Sequence, residues 1–185
     1  MTDIRTLTLP KTLVMVGMMG AGKTAIGRRV AARLGLPFVD ADDEIVKAAG
    51  CSIDDIFKRH GEVAFRDGER RVIARLLSEP VHVLATGGGA YIDSETRARI
   101  NENCLSLWLR VEKDVLWRRV KRRDDRPLLK TEAPYETLAR LVDTRYPVYA
   151  EAAIIVDSVD GPAEETVDRV LCTIKSYLDE KGNAA

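Results

Sequence analysis

The chain has 185 residues, and its 29 Lys and Arg balance 29 Asp and Glu, so the formal charge at pH 7 is zero with 31% of residues charged. Such a balance argues against a protein that coats nucleic acid or rests on an acidic membrane through a polybasic face. Hydrophobic residues at 45% and aromatics at 5% fit an aliphatic α/β or α protein and exclude disorder or a collagen-like repeat. The length suits one domain, since domains cluster at about 100 to 150 residues and a chain of this size hides roughly 70% of its unfolded surface.

The zero is a cancellation between separated patches: Asp40-Ala41-Asp42-Asp43-Glu44 is almost wholly acidic, and Arg118-Arg119-Val120-Lys121-Arg122-Arg123 almost wholly basic. Cys51, Cys104 and Cys172 are odd in number and far apart, which suggests neither a disulfide framework nor a structural zinc site and fits a reducing cytosol. Asp3 and Arg5 interrupt the opening residues, and no uncharged run approaches the ~20 residues that span a bilayer, so a cytoplasmic protein is expected. His60 and His82 have no partners at ligand spacing and read as ordinary surface or core histidines.

Along the chain, short aliphatic runs alternate with helical patterns. The runs are Leu13 to Val16, Phe38 and Val39, Val81 to Ala85, Leu105 to Leu109, and Ala153 to Val156; they read as strands buried on both faces, as in a parallel sheet. Helical spacing covers Lys23 to Leu34, Glu44 to Ala49, Ile53 to His60, Glu62 to Leu77, Asp93 to Glu102, Glu112 to Arg122, Tyr135 to Ala150 and Pro162 to Leu178. The alternation predicts a doubly wound α/β domain. Asp124 to Pro134 holds two prolines and several charges without periodicity, which predicts a mobile loop of the kind that serves as a lid.

Gly17-Met18-Met19-Gly20-Ala21-Gly22-Lys23-Thr24 matches G-x-x-x-x-G-K-[ST], directly after a predicted strand and before a predicted helix. Glycines there let backbone N–H groups turn in around phosphate oxygens, and the following helix presents its positive end. Lys23 is expected to span the β and γ phosphates, and the Thr24 hydroxyl to ligate Mg²⁺. A Gly-rich turn that merely starts a helix accounts for Gly20 and Gly22 but not for the Lys23-Thr24 pair. The loop by itself says only nucleoside triphosphate.

Two predicted strands end in Asp, at Asp40 and at Asp157. Asp40 is the preferred metal-side carboxylate because its strand follows the phosphate-loop helix and a second carboxylate, Asp42, comes two residues on; on an extended chain the two side chains point the same way. One would help hold Mg²⁺ and the other accept a hydrogen bond from a substrate hydroxyl. The plainer alternative is that Asp42, Asp43 and Glu44 favour a helix N-terminus, a role expected of Asp43 and Glu44. No N-K-x-D guanine-reading motif occurs, and nothing resembles a nucleic-acid recognition element.

The phosphate loop, Asp40-x-Asp42, Gly61-Glu62-x-x-Phe65-Arg66, Thr86-Gly87-Gly88-Gly89-Ala90, Arg126-Pro127-Leu128-Leu129 and Arg145-x-Pro147-x-Tyr149 follow one another in this order. Together they resemble shikimate kinase, from about Leu13 to Asp157. The resemblance implies an α/β P-loop NTPase fold of the nucleoside-monophosphate-kinase type, with a five-stranded parallel sheet in order 2-3-1-4-5. It implies one kinase domain over 1–185, with an acceptor-binding helical region near 42–78 and a lid near 122–134. It further implies transfer of the γ-phosphoryl of ATP, with Mg²⁺ as cofactor, to the 3-hydroxyl of shikimate in chorismate biosynthesis.

By this similarity Gly20, Ala21, Gly22, Lys23, Thr24 and Ala25 bind ATP, joined by Arg119 and the lid residue Arg126. Thr24 and Asp40 serve the metal. Asp42 holds acceptor hydroxyls and is the candidate base, Arg66 and Arg145 bind the carboxylate, and Gly87, Gly88 and Gly89 approach the ring; Lys23, Asp42 and Arg126 form the catalytic set. A planar guanidinium grips a carboxylate through two parallel hydrogen bonds, and three glycines after a strand admit a close backbone approach. Glu69, one helical turn after Arg66, is placed to orient it. Read alone, Arg66 and Arg145 are as well explained by surface ion pairs, the glycines by a turn and Arg126 by a solvated loop charge. The chain departs from some relatives at Asp157 to Pro162, where no arginine stands near the adenine. Another P-loop kinase, for gluconate or a nucleoside monophosphate, and a non-catalytic sensor are the rivals. A monomer with no nucleic-acid or membrane partner is expected.

Overall fold

The computed structural model describes residues 7–121, 127–129 and 131–182. The aliphatic runs form strands β1 (Leu13–Val16), β2 (Phe38–Asp40), β3 (Val83–Ala85), β4 (Leu105–Arg110) and β5 (Ile154–Asp157). They build a five-stranded sheet in order β2-β3-β1-β4-β5, as expected, and each neighbouring pair is parallel. β1 lies at the centre, with Leu13 level with both Val83 and Leu105, and all of its residues are buried. An unbroken apolar run is what a strand covered on both faces requires.

Because the strands are parallel, their C-terminal ends share one edge. The phosphate loop follows β1 there, Asp40 ends β2, and Thr86 follows β3. Open α/β sheets bind ligands at this edge, where strand order reverses.

Helix α1 (Lys23–Leu34) buries Ile26, Gly27, Val30 and Ala31, a stripe at helical spacing, and ends on Gly35 in the left-handed conformation. Helix α2 (Ala41–Ala49) begins before the expected Glu44 because Asp40 is its N-cap. Asp42 is therefore in a helical first turn and not on extended chain, which corrects the strand-alternation argument for the Asp40 and Asp42 pair. The patterns Ile53 to His60 and Glu62 to Leu77 form one run, α3 (Ile53–Leu76), broken at Gly61 by φ 78° and ψ 176°. The remaining helices are α4 (Ser94–Asn103), α5 (Lys113–Val120), α6 (Pro134–Tyr149) and α7 (Ala163–Gly182).

One large apolar cluster joins the sheet to the helices on its faces, while Ile45, Ile56 and Phe65 form a separate small cluster between α2 and α3. The α2–α3 pair is thus held partly by a core of its own beside the main body. Of the predicted lid, Pro127–Leu129 forms a short 3-10 turn, with Leu128 and Leu129 packed on the main core. Arg126 lies outside the described residues. Among those described, no helix is long and apolar enough to cross a membrane, and the three cysteines are free thiols.

Candidate active site

The phosphate loop owes its shape to three positive-φ glycines, Gly17 at φ 135°, Gly20 at 79° and Gly22 at 97°, and the left-handed conformation costs an L side chain about 1 to 2 kcal/mol. Gly22 directly precedes α1, so the first N–H groups of that helix face the loop's hollow. Lys23 is buried, and its Nζ donates to the carbonyls of Gly17 at 2.8 Å and Met18 at 2.9 Å. The Thr24 hydroxyl donates to Asp40 Oδ2 at 2.7 Å, while Asp40 Oδ1 accepts from the Asp42 N–H at 3.0 Å. One carboxylate thus ties the nucleotide loop to the start of α2.

A cavity of about 930 Å³ opens over this loop, lined by Gly20 to Ile26, Asp40 and Arg119 and closed at one side by Ser158 to Gly161. A second, of about 630 Å³, lies against α2 and α3 and is lined by Phe57, Phe65, Arg66, Glu69, Gly89 and Arg145. Met19, Asp42, Gly87 and Gly88 line both. The two hollows therefore adjoin along these four residues.

Each glycine of the Gly87-Gly88-Gly89 run faces a different neighbour. A Cβ on Gly87 would sit 2.9 Å from both Asp42 Oδ1 and Glu69 Oε1. On Gly88 it would meet the Met19 N–H nitrogen at 3.2 Å and Arg145 Nη1 at 3.6 Å. On Gly89 it would fall inside the Arg66 guanidinium, 2.5 Å from Cζ and 2.6 Å from Nη2. None of the three has a positive φ. Crowding by the groups around them, and not backbone conformation, is what a side chain at these positions would meet.

Arg66 and Arg145, far apart in sequence, line the same cavity. Arg66 Nη1 donates to Glu69 Oε2 at 2.7 Å, and its Nε and Nη2 reach Glu62 Oε1 at 3.3 Å and 3.1 Å. Burial opposes the charge on Arg66, but the two glutamates outweigh it and raise its pKa further above the ordinary value. Burial pushes the Glu69 carboxyl up, partly offset by Arg66 and reinforced by the charge of Asp42. Its second oxygen, Oε1, is buried without a hydrogen-bond partner among the described residues. Glu69 therefore orients Arg66, as expected, and Glu62 of the same motif joins it. Arg145 is buried and donates from Nη1 to the Gly88 carbonyl at 3.1 Å.

Arg119 lies along the phosphate loop, donating to the carbonyls of Ala21 at 3.3 Å and Val159 at 3.1 Å. Its neighbour Arg118 pairs with Asp160 at 2.7 Å. The loop after β5, which lacks an arginine, is thereby drawn to α5 and presents Val159, 45% exposed, to the nucleotide-side cavity. His60 is exposed, and buried His82 bonds through Nδ1 to Pro80 O at 2.8 Å, so neither reaches the site. Among the described residues no group of three or more His, Cys, Asp or Glu is arranged so that it could hold a metal ion.

The family model for shikimate kinase matches residues 19–175. The chain belongs to the shikimate kinase family. It is 56% identical over 168 residues to the shikimate kinase of Rhodopseudomonas palustris, covering 91% of this chain and 83% of the relative. With that of Caulobacter vibrioides the figures are 54% over 165 residues, 89% and 82%. Among solved structures, shikimate kinase from Acinetobacter baumannii in complex with shikimate superposes with a TM-score of 0.87 at 36% identity, covering 94% of this chain and 96% of that one. A gluconokinase from Sinorhizobium meliloti shares the fold with a TM-score of 0.64, but at 18% identity it speaks for the fold alone.

Membership in the shikimate kinase family gives the motif order its meaning, and the geometry sets several of the motifs against one another: Thr24 against Asp40, Gly89 against Arg66, and Gly88 against Arg145 and Tyr149. Residues that line the acceptor-side cavity but stand in none of the sequence motifs include Val46, Ile53 and Phe57. They are apolar, and nothing in composition or spacing separates them from core. Tyr149 stands in a motif yet carries no predicted role; its hydroxyl donates to the Gly88 carbonyl.

Proposed function

We propose that the chain moves the γ-phosphoryl of MgATP to the 3-hydroxyl of shikimate, with the nucleotide in the cavity over the phosphate loop and the acceptor in the cavity beside α2 and α3. The observation that carries this reading is their meeting at Met19, Asp42, Gly87 and Gly88, with a P-loop lysine on one side and two arginines on the other. Phosphoryl transfer needs little covalent help; it needs in-line placement and charge stabilisation. In this assignment Arg66 and Arg145 grip the acceptor carboxylate, which fixes the opposite edge of the ring against Asp42. Asp42 accepts the proton of the attacking hydroxyl as its oxygen bonds to the γ-phosphorus. The bond to the β-bridging oxygen breaks and ADP leaves.

Lys23 exchanges the Gly17 and Met18 carbonyls for phosphate oxygens, and Gly20, Ala21, Gly22, Thr24 and Ala25 supply backbone donors. Arg119 flanks the nucleotide, and Arg126, outside the described residues, is assigned to the lid and the transferring phosphate. Thr24 and Asp40 offer hard oxygen donors 2.7 Å apart beside the loop, a set that suits Mg²⁺ better than a softer metal. Bound there, Mg²⁺ would neutralise phosphate charge. The organisation read here is a single kinase domain with an acceptor region near 42–78, a lid near 122–134, and a monomeric, cytoplasmic working state.

The test is ADP release in a coupled assay with MgATP and a panel of acceptors. Shikimate is expected to accelerate release, with gluconate and nucleoside monophosphates giving background rates. Release that shikimate leaves unchanged would overturn the assignment, and binding without turnover would favour a sensor.

A further inference from the structure

We infer that Tyr149 is a positioning residue for the acceptor: its hydroxyl holds the Gly88 carbonyl so that Arg145 can turn to a substrate carboxylate without the glycine loop moving. The inference rests on the assignment of the α2–α3 cavity to the acceptor. Gly88 O takes two donors from α6, Arg145 Nη1 at 3.1 Å and the Tyr149 hydroxyl. A carbonyl has two lone pairs, so both are served. The donors are not equivalent. A guanidinium at the wall of the acceptor cavity has other N–H groups and a carboxylate to meet, whereas the phenol is fully buried and has besides this carbonyl only the weaker acceptor Met18 Sδ at 3.9 Å among the described residues.

Its ring is fixed from several sides. Trp108 lies 5.9 Å away between centroids, Tyr146 6.3 Å and Tyr91 6.4 Å, and the hydroxyl is 3.9 Å from Met18 Sδ of the phosphate loop. Gly88 in turn faces the phosphate loop, where a Cβ would fall 3.2 Å from Met19 N and 3.5 Å from Gly17 O. One phenol therefore braces the strip where the two cavities join. Burial pushes its pKa up to about 12, with Arg145 partly offsetting, so the proton it donates is retained at any working pH. With the carbonyl held, the Gly88 N–H and Cα keep their places when Arg145 lets go.

Tyr149→Phe keeps the ring and removes the donor. The expected result is a rise in the KM for shikimate on the order of tenfold, from one lost buried hydrogen bond, with the KM for ATP within about twofold and kcat less affected than the acceptor KM. Combined with Arg145→Lys, the two effects on acceptor KM should multiply to less than their product, because both act on one carbonyl. An unchanged acceptor KM, an equal rise in both KM values, or strict multiplicativity would each overturn the inference. Should Tyr149→Phe not fold, the intact chain labelled with 3-fluorotyrosine poses the same question. The Tyr149 fluorine resonance, identified by single Phe variants at the other tyrosines, must shift on adding shikimate, and a silent resonance refutes the role. A wild-type enzyme that shikimate does not activate would sink the acceptor assignment itself, whereas an active wild type with a kinetically silent variant sinks only the part given to Tyr149.

Discussion

Gly89→Ala separates the fold from the site. A Cβ at this position would overlap the Arg66 guanidinium, 2.5 Å from Cζ, and the guanidinium is the end of a flexible side chain that remains 23% exposed. The chain relieves the clash by swinging Arg66 outward, and the backbone need not move. That swing ends the bond to Glu69 at 2.7 Å, which as a charge-assisted hydrogen bond is worth ~1.5 to 3 kcal/mol. Burial already pushes the Glu69 carboxyl up, so it can take a proton once Arg66 leaves, and the stability loss should stay within that range. The acceptor loses more. A forked guanidinium–carboxylate contact comprises two such bonds, ~3 to 6 kcal/mol, and with Arg145 still in place the low end applies. At 1.36 kcal/mol per decade this is roughly a 10²-fold fall in kcat/KM for shikimate. Steady-state kinetics with either substrate varied, beside a urea melt, reads all three quantities. An acceptor KM like that of the wild type, or an ATP KM that rises equally, would refute both the clash and the assignment of Arg66.

Lys23→Ala removes the cation from the phosphate loop and should lower kcat by ~10² to 10³ or more while the circular dichroism spectrum stays that of the wild type; a kcat within tenfold would contradict its role. Gly27→Ala puts a Cβ 2.7 Å from the Phe38 ring and 3.0 Å from Met15 Sδ, so it should cost ~1 to 3 kcal/mol in a urea melt with the kinetics of the folded fraction unchanged. For Glu69 the sign follows from a folded-state pKa raised by burial: its contribution to stability is fully present below the ordinary value of 4.5 and is lost as pH rises through the folded value. Relative to Glu69→Gln, the wild type should therefore lose stability as pH climbs from 4.5, and a flat or opposite trend in paired denaturation curves would show that Arg66 outweighs burial.

What was legible from sequence is what neighbouring residues decide among themselves. The run Leu13 to Val16 reads as a strand covered on both sides, and Lys23 to Leu34, opened by Gly22 and closed by Gly35, marks its own ends. The phosphate loop is local in the same sense, since its glycines, its lysine and its helix are contiguous. Alternation of such segments was enough for a parallel α/β sheet. The strand order and the acceptor chemistry came instead from the resemblance carried by the ordered motifs.

Asp40 and Asp42 show where local reasoning turns wrong. A two-residue spacing means one face on a strand, but the Asp40 side chain accepts from the Asp42 N–H and starts a helix between them, and Thr24 from another element fixes that carboxylate. The sequence alone determined that this chain has a nucleotide loop on an α/β sheet and which residues were worth watching. Tertiary structure decided which groups crowd Gly87, Gly88 and Gly89, why Arg66 and Arg145 share a cavity, and that the Tyr149 hydroxyl meets the Gly88 carbonyl. Those facts depend on distances between groups remote in the chain, which periodicity and composition do not encode and which packing around one sheet edge brings within a few ångströms.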